Sequence, residues 1–130
     1  MSVIPRVYDL VENPQSNFIV MELLGMNIAS LKKSLGTKFT DAFAYDILIQ
    51  MLNCIEDVHN KGYIHRDIKP SNFVICPQQK KVYMVDFGLA KLHINKKGQP
   101  FTERKNADFR GTIAFASMNA HNQIVLIVLK

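Results

Sequence analysis

Two cysteines in 130 residues are too few for a disulfide framework, and Cys54 and Cys76 lack the spacing of metal ligands. Cys54 falls on the apolar side of a helical pattern and Cys76 closes a strand pattern. Both therefore read as reduced core residues of an intracellular protein, cytoplasmic or nuclear. The first residues, Met1-Ser2-Val3-Ile4-Pro5-Arg6, hold no apolar run that could act as a signal peptide. The apolar run at 124–129 has only six residues, far short of a bilayer span, so no membrane association is expected. Internal repeats are missing, which excludes solenoids and propellers. Glycine does not occur before Gly25.

What is present fits one ordinary globular domain. Apolar residues make up 48% and charged residues 21%, and the length allows a single core. The net charge of +5 is concentrated. Between Lys80 and Arg110 there are eight basic residues and three acidic ones, so the rest of the chain is neutral. Such a surface attracts anions: nucleotide phosphates, acidic or phosphorylated peptides, or nucleic acid. The aromatic residues of this stretch, Tyr83, Phe87, Phe101 and Phe109, do not alternate with the lysines and arginines as a stacking platform would require, which makes nucleic acid the weakest of the three.

The local patterns are clear in the first two thirds. Residues 3–11 and 18–21 read as strands around the turn cluster 12–17, giving a hairpin. Residues 28–35 form a short amphipathic helix stopped by Gly36. From Thr40, a plausible N-cap, the stripe Ala44, Ile47, Leu48, Met51, Leu52, Ile55 and Val58 predicts a long helix that Gly62 ends. Residues 73–76 and 81–85 read as strands around the turn 77–80. The lysine-rich stretch 91–106 reads as a loop, and the tail 124–129 as an added strand or an aggregation hazard.

The chemistry concentrates in 63–72, Y-I-H-R-D-I-K-P-S-N, and in Asp86-Phe87-Gly88. Asn72 follows Asp67 by five positions, and the two motifs are separated by the strand–turn–strand pattern. Together they match the catalytic loop and metal-binding motif of protein kinases. Phosphoryl transfer requires positioning and charge neutralisation. Asp67 is the candidate to accept or orient a substrate hydroxyl. Lys69 projects to the same side to meet the γ-phosphate. Asn72 and Asp86 offer the hard oxygens that Mg2+ takes. Gly88 is expected to make the sharp turn after the metal ligand, and His65 to pack inside and brace the loop.

With these residues placed, the chain resembles the casein kinase 1 group of serine/threonine kinases, and within it the tau-tubulin kinase branch. Val20-Met21-Glu22-Leu23-Leu24-Gly25 looks like the group's hinge, and H-R-D-I-K-P-S-N-F at 65–73 its catalytic loop. The stretch F-R-G-T-I-A-F-A-S-M-N-A-H at 109–121 places Ser117-Met118-Asn119 where the group carries S-I-N. The resemblance implies an α+β, kinase-like partial domain over 1–121: the end of the N-lobe sheet, a hinge near 21–25 and the first part of the helical C-lobe. A catalytic loop at 63–72 and an activation segment at 86–119 follow, then a divergent apolar tail at 122–130. It also implies Met21 as gatekeeper, the backbones of Glu22 and Leu24 as adenine partners, and Val74 and Val85 as the floor under the base. Thr112 would bridge Asp67 and Lys69. ATP, Mg2+ and acidic or pre-phosphorylated protein substrates come with the resemblance.

The departures are equally specific. The family's glycine-rich loop, strand lysine and helix glutamate would precede Val3, and its central helix would follow His121. Ala114 stands where the group usually has arginine. The expectation is a serine/threonine kinase represented by a part that alone transfers phosphate weakly or not at all. The alternative is a non-catalytic module that keeps kinase architecture to bind a partner.

Overall fold

A computed structural model describes residues 2–36, 38–102 and 108–124. The chain opens with a segment in which Val3 and Pro5 are buried, and the strand begins only afterwards, at β1 (Val7–Glu12). The expected strand over 3–11 is therefore shorter. Pro5 has no amide to give a ladder, and Val3 instead offers its carbonyl to the Met84 amide at 2.9 Å. β1 pairs antiparallel with β2 (Asn17–Met21), with an irregularity between Val7 and Asp9, and Asn13 shapes the turn by accepting from the Ser16 amide at 2.8 Å. Every residue of this hairpin is exposed.

α1 (Ile28–Leu35) has the predicted bounds. Asn27 caps it by accepting from the Ser30 amide, and Gly36 ends it in the left-handed conformation. α2 (Asp41–Asn60) starts where expected, with the Thr40 hydroxyl accepting from the Phe43 amide at 3.3 Å. Its buried face differs from the predicted stripe. Ile47, Cys54 and Val58 are buried, and Met51 and Ile55 partly so, whereas Leu48 and Leu52 are 51% and 64% exposed. One side of α2 packs on the strand residues 63–64 and 81–84 that follow it in the chain, while Leu48, Ile49 and Leu52 stay exposed among the described residues.

Beyond α2, β3 (Tyr63–Ile64) pairs with β6 (Lys91–Leu92), and β4 (Phe73–Cys76) with β5 (Lys81–Met84). The predicted loop over 91–106 thus begins as a short strand. It continues around Asn95, whose Oδ1 accepts from the Lys97 and Gln99 amides; 103–106 lie outside the described residues. The core joins these elements: Val3, Ile28, Ile47, Cys54, Val58, Phe73, Val82 and Met84 form one cluster, with Phe73 and Met84 fully buried. Near the end, α3 (Met118–His121) is capped by Ser117. Of the apolar tail only Ile124 is described. No described helix is long and apolar enough to cross a membrane.

Candidate active site

The loop between β3 and β4 is held by its own buried polar side chains. His65 is 2% exposed. Its Nδ1 accepts from the Asp67 amide at 3.3 Å, so Nε2 carries the proton and donates to the Val85 carbonyl at 3.0 Å. The ring also packs edge-on against Phe87, with centroids 5.0 Å apart. Asn72 donates its amide to the Asp67 carbonyl at 2.8 Å and to the Asp67 Oδ2 at 3.3 Å. The Val85 amide donates to the Asn72 carbonyl at 3.0 Å. Both buried residues thus tie 65–72 to the end of β5, where Asp86 follows.

Asp67, Lys69 and Thr112 form a closed triangle. Lys69 Nζ is 2.7 Å from Asp67 Oδ2 and donates to Thr112 Oγ1 at 3.0 Å; that hydroxyl donates to Asp67 Oδ1 at 2.8 Å. Thr112 is distant in sequence, and Gly111 allows it to come close. At φ 105° Gly111 lies in the region that disfavours side chains, and a Cβ there would sit 2.5 Å from the Arg66 carbonyl oxygen. The Lys69 hydrogen bond holds the Asp67 carboxyl below its ordinary value against the opposing effect of burial, and Thr112 and Asn72 assist. Asp67 is therefore an anion at neutral pH, aimed and ready to accept a hydrogen bond.

Arg66 and Asp86 are both in the left-handed region, with φ 69° and 63°. Such conformations cost of order 1–3 kcal/mol and persist where surroundings impose them. The Arg66 side chain reaches across to donate from Nε to the Leu89 carbonyl, and burial followed by the neighbouring Arg110 lowers its pKa. The sharp turn expected at Gly88 is made by Asp86 instead. Gly88 lies in a 3-10 turn over Phe87–Leu89, where its amide donates to Asp86 Oδ1 at 3.4 Å.

The Asn72 amide nitrogen is committed to Asp67, which leaves the Asn72 side-chain oxygen available, and the Asp86 carboxylate is exposed. These are hard oxygen donors that suit Mg2+. Among the described residues no three His, Cys, Asp or Glu side chains converge as an all-protein metal cage. An ion held by Asn72 and Asp86 would complete its shell with water and ligand phosphates, the usual Mg2+ arrangement.

The residues expected to form a hinge, 21–25, run from the last residue of β2 to the edge of β4. Met21 ends β2 opposite Val7. The Glu22 amide is already donated to the Arg6 carbonyl at 2.8 Å, so its carbonyl is the backbone group left for a ligand. Leu23 is 96% exposed while Leu24 turns partly inward. Just beyond, Gly25 donates to the Ile75 carbonyl and Ile75 to the Met26 carbonyl, both at 3.0 Å. This approach needs glycine: a Cβ at Gly25 would lie 2.5 Å from the Ile75 oxygen. Val74, next to Ile75 in β4, is partly buried, and so is Val85, one residue past the end of β5 rather than within it. Sequence reasoning missed the roles of Gly111 and of the Arg66 side chain. A glycine immediately before Thr112 was the available signal for the first.

The family described as protein kinase domain matches residues 1–119. A Dictyostelium discoideum protein, named as a serine/threonine-protein kinase, is 41% identical over 109 residues, which are 81% of this chain and 22% of that protein. A Caenorhabditis elegans protein, named for casein kinase I, is 36% identical over 126 residues, or 93% of this chain and 37% of the relative. The chain spans well under half the length of these relatives.

Proposed function

Because the chain belongs to the protein kinase family, we propose that it carries the catalytic loop and metal-binding segment of a serine/threonine kinase of the casein kinase 1 group. The observation that carries this reading is the Asp67–Lys69–Thr112 triangle, an ionised carboxylate braced by a cation and a hydroxyl. The reading takes 1–121 as a partial kinase domain with its hinge near 21–25 and its activation segment at 86–119. The Phe109–His121 sequence, with Ser117-Met118-Asn119 in place of the group's S-I-N, favours the casein kinase 1 group, and the reading extends to its tau-tubulin kinase branch.

In this reading Asp67 Oδ1 or Oδ2 receives the proton of a substrate serine or threonine hydroxyl and aligns its oxygen with the phosphate. Lys69, already beside that carboxylate, neutralises charge on the transferring group. Asn72 and Asp86 would hold Mg2+, which would supply positive charge against the ATP phosphates. Met21, the Glu22 carbonyl and Leu24 receive the adenine, with Val74 and Val85 beneath it. The basic stretch that begins at Lys80 favours acidic or phosphorylated protein segments as substrates. The two unpaired, buried cysteines suit an intracellular setting.

Transfer of labelled phosphate from ATP to casein tests the proposal. The chain is expected to transfer far more slowly than a full-length kinase, and Asp86→Ala should remove what transfer there is, by roughly a hundredfold or more. Transfer unaffected by Asp86→Ala would reject the assignment. Absence of transfer from both would favour a non-catalytic module, a reading supported by the exposed hairpin β1–β2 and by the α2 residues Leu48, Ile49 and Leu52 that stay exposed among the described residues.

A further inference from the structure

Gln50 interrupts the apolar surface of α2 between Ile49 and Met51, and its side chain is spent on β5. Its Oε1 accepts from the Val82 amide at 2.9 Å. Its Nε2 donates to Asp46 Oδ2 at 3.0 Å and reaches the Lys80 carbonyl at 3.4 Å. One turn further along the same face, Cys54 Sγ donates to the Val82 carbonyl at 3.5 Å. Two side chains four residues apart thus satisfy both backbone groups of Val82, as a neighbouring strand would. Val82 is paired across the ladder with Ile75, whose own amide and carbonyl bond the hinge at Met26 and Gly25. The hairpin β4–β5 is therefore gripped from both sides at one cross-strand pair, by main chain on one side and by α2 on the other.

We infer that Gln50 is a positioning residue for the metal site: it fixes where β5, and with it Asp86, stands relative to Asp67 and Asn72. α2 leads through β3 into the loop that carries Asp67 and Asn72, and Val82, on β5, precedes Asp86 by four residues. Gln50 joins the two supports at a point separate from the Val85 contacts with His65 and Asn72. The inference rests on the reading of Asn72 and Asp86 as metal ligands, and extends it to a residue that touches neither ligand nor substrate.

The test uses the 130-residue chain, 15N-labelled, with Mn2+ alone as the probe. Paramagnetic broadening at the Asn72 side chain and the Asp86 amide reports binding, and hydrogen exchange at the Val82 amide reports the Gln50 bond. Gln50→Leu should speed Val82 exchange and raise the Mn2+ concentration for half-broadening by about tenfold, the lower range for loss of outer-shell support. If Gln50→Leu fails to fold, Gln50→Asn, which is one methylene too short to reach, takes its place with the same expectation. The double variant Asp46→Asn/Gln50→Glu keeps the acceptor for Val82 and a donor facing it, and should restore both readouts. Faster Val82 exchange with an unchanged Mn2+ titration would overturn the inference, leaving Gln50 a structural anchor only. Failure of the double variant to restore Mn2+ affinity would overturn it too. If the unmodified chain shows no broadening localised at Asn72 and Asp86, the metal reading falls and takes this inference with it.

Discussion

His65 Nε2 donates to the carbonyl oxygen of Val85 across a 3.0 Å gap, with His65 buried and Val85 half-buried. This bond joins the loop bearing Asp67 to the residue immediately before Asp86. Because His65 Nδ1 already accepts from the Asp67 amide, one tautomer serves both contacts. His65→Leu should strand the Val85 carbonyl and the Asp67 amide, and cost about 1–3 kcal/mol of unfolding free energy. Urea denaturation of the two proteins measures it; a difference below about 0.5 kcal/mol would contradict the bracing role.

The Asp67 carboxyl should titrate higher when its braces are removed. Its folded-state pKa is lowered, first by Lys69, so its ionised form contributes stability above the ordinary carboxylate range. That stability is lost as pH falls through the folded value. Lys69→Met should raise the Asp67 midpoint in a 13C-detected titration, and Thr112→Val should raise it less. Thr112→Ser, which keeps the hydroxyl, should leave it nearly in place.

His59 adds to the same acid-side loss of stability, in a higher pH window. Burial, and then the neighbouring His93, lower its pKa, so the folded chain binds the proton less readily than the unfolded one. Its contribution is full above the ordinary histidine value of about 6.5 and is lost as pH drops through the lower folded value. His59→Gln should flatten the fall in urea midpoint between about pH 7 and pH 5.

Two glycines with similar backbone angles should respond differently to alanine. Gly111 and Gly98 both have positive φ, but a Cβ at Gly98 meets nothing, whereas at Gly111 it strikes the Arg66 carbonyl. Gly98→Ala should cost about 1 kcal/mol, for the left-handed conformation alone. Gly111→Ala should cost clearly more, at least about 2 kcal/mol, and should also disturb the Thr112–Asp67 bond. Thermal unfolding of the pair, with the Asp67 titration as second readout, decides it.

Burial pushes the Cys54 thiol up to about 11. In the folded chain it should react with iodoacetamide at pH 8 at least tenfold more slowly than after unfolding in guanidinium, since the thiolate is the reactive form. Equal rates would mean that the α2–β5 contact opens freely.

Elements set by local signals were readable from the sequence alone. Gly36 and Thr40 mark helix ends by their own local chemistry, so the end of α1 and the start of α2 could be placed to the residue. The motif residues around Asp67 were legible because their spacing is itself the signal. What escaped depends on partners far away in sequence. Leu48 and Leu52 share periodicity with buried Ile47, and only the position of β5 determines which side is covered. Asp86 rather than Gly88 takes the left-handed turn because Val85 is pinned from two sides just before it. Gln50 carries no local signal, since its partner Val82 is 32 residues away.

The grip on β4–β5 at the facing pair Ile75 and Val82 puts the hinge and α2 mechanically in series. A force applied at Gly25–Met26 travels through one rung of the ladder before it reaches the helix. It then continues along α2 to the loop holding Asp67. Whatever settles against Gly25–Met26 would thereby load the helix that leads, through β3, into the loop holding Asp67, without any part of the chain having to change its fold.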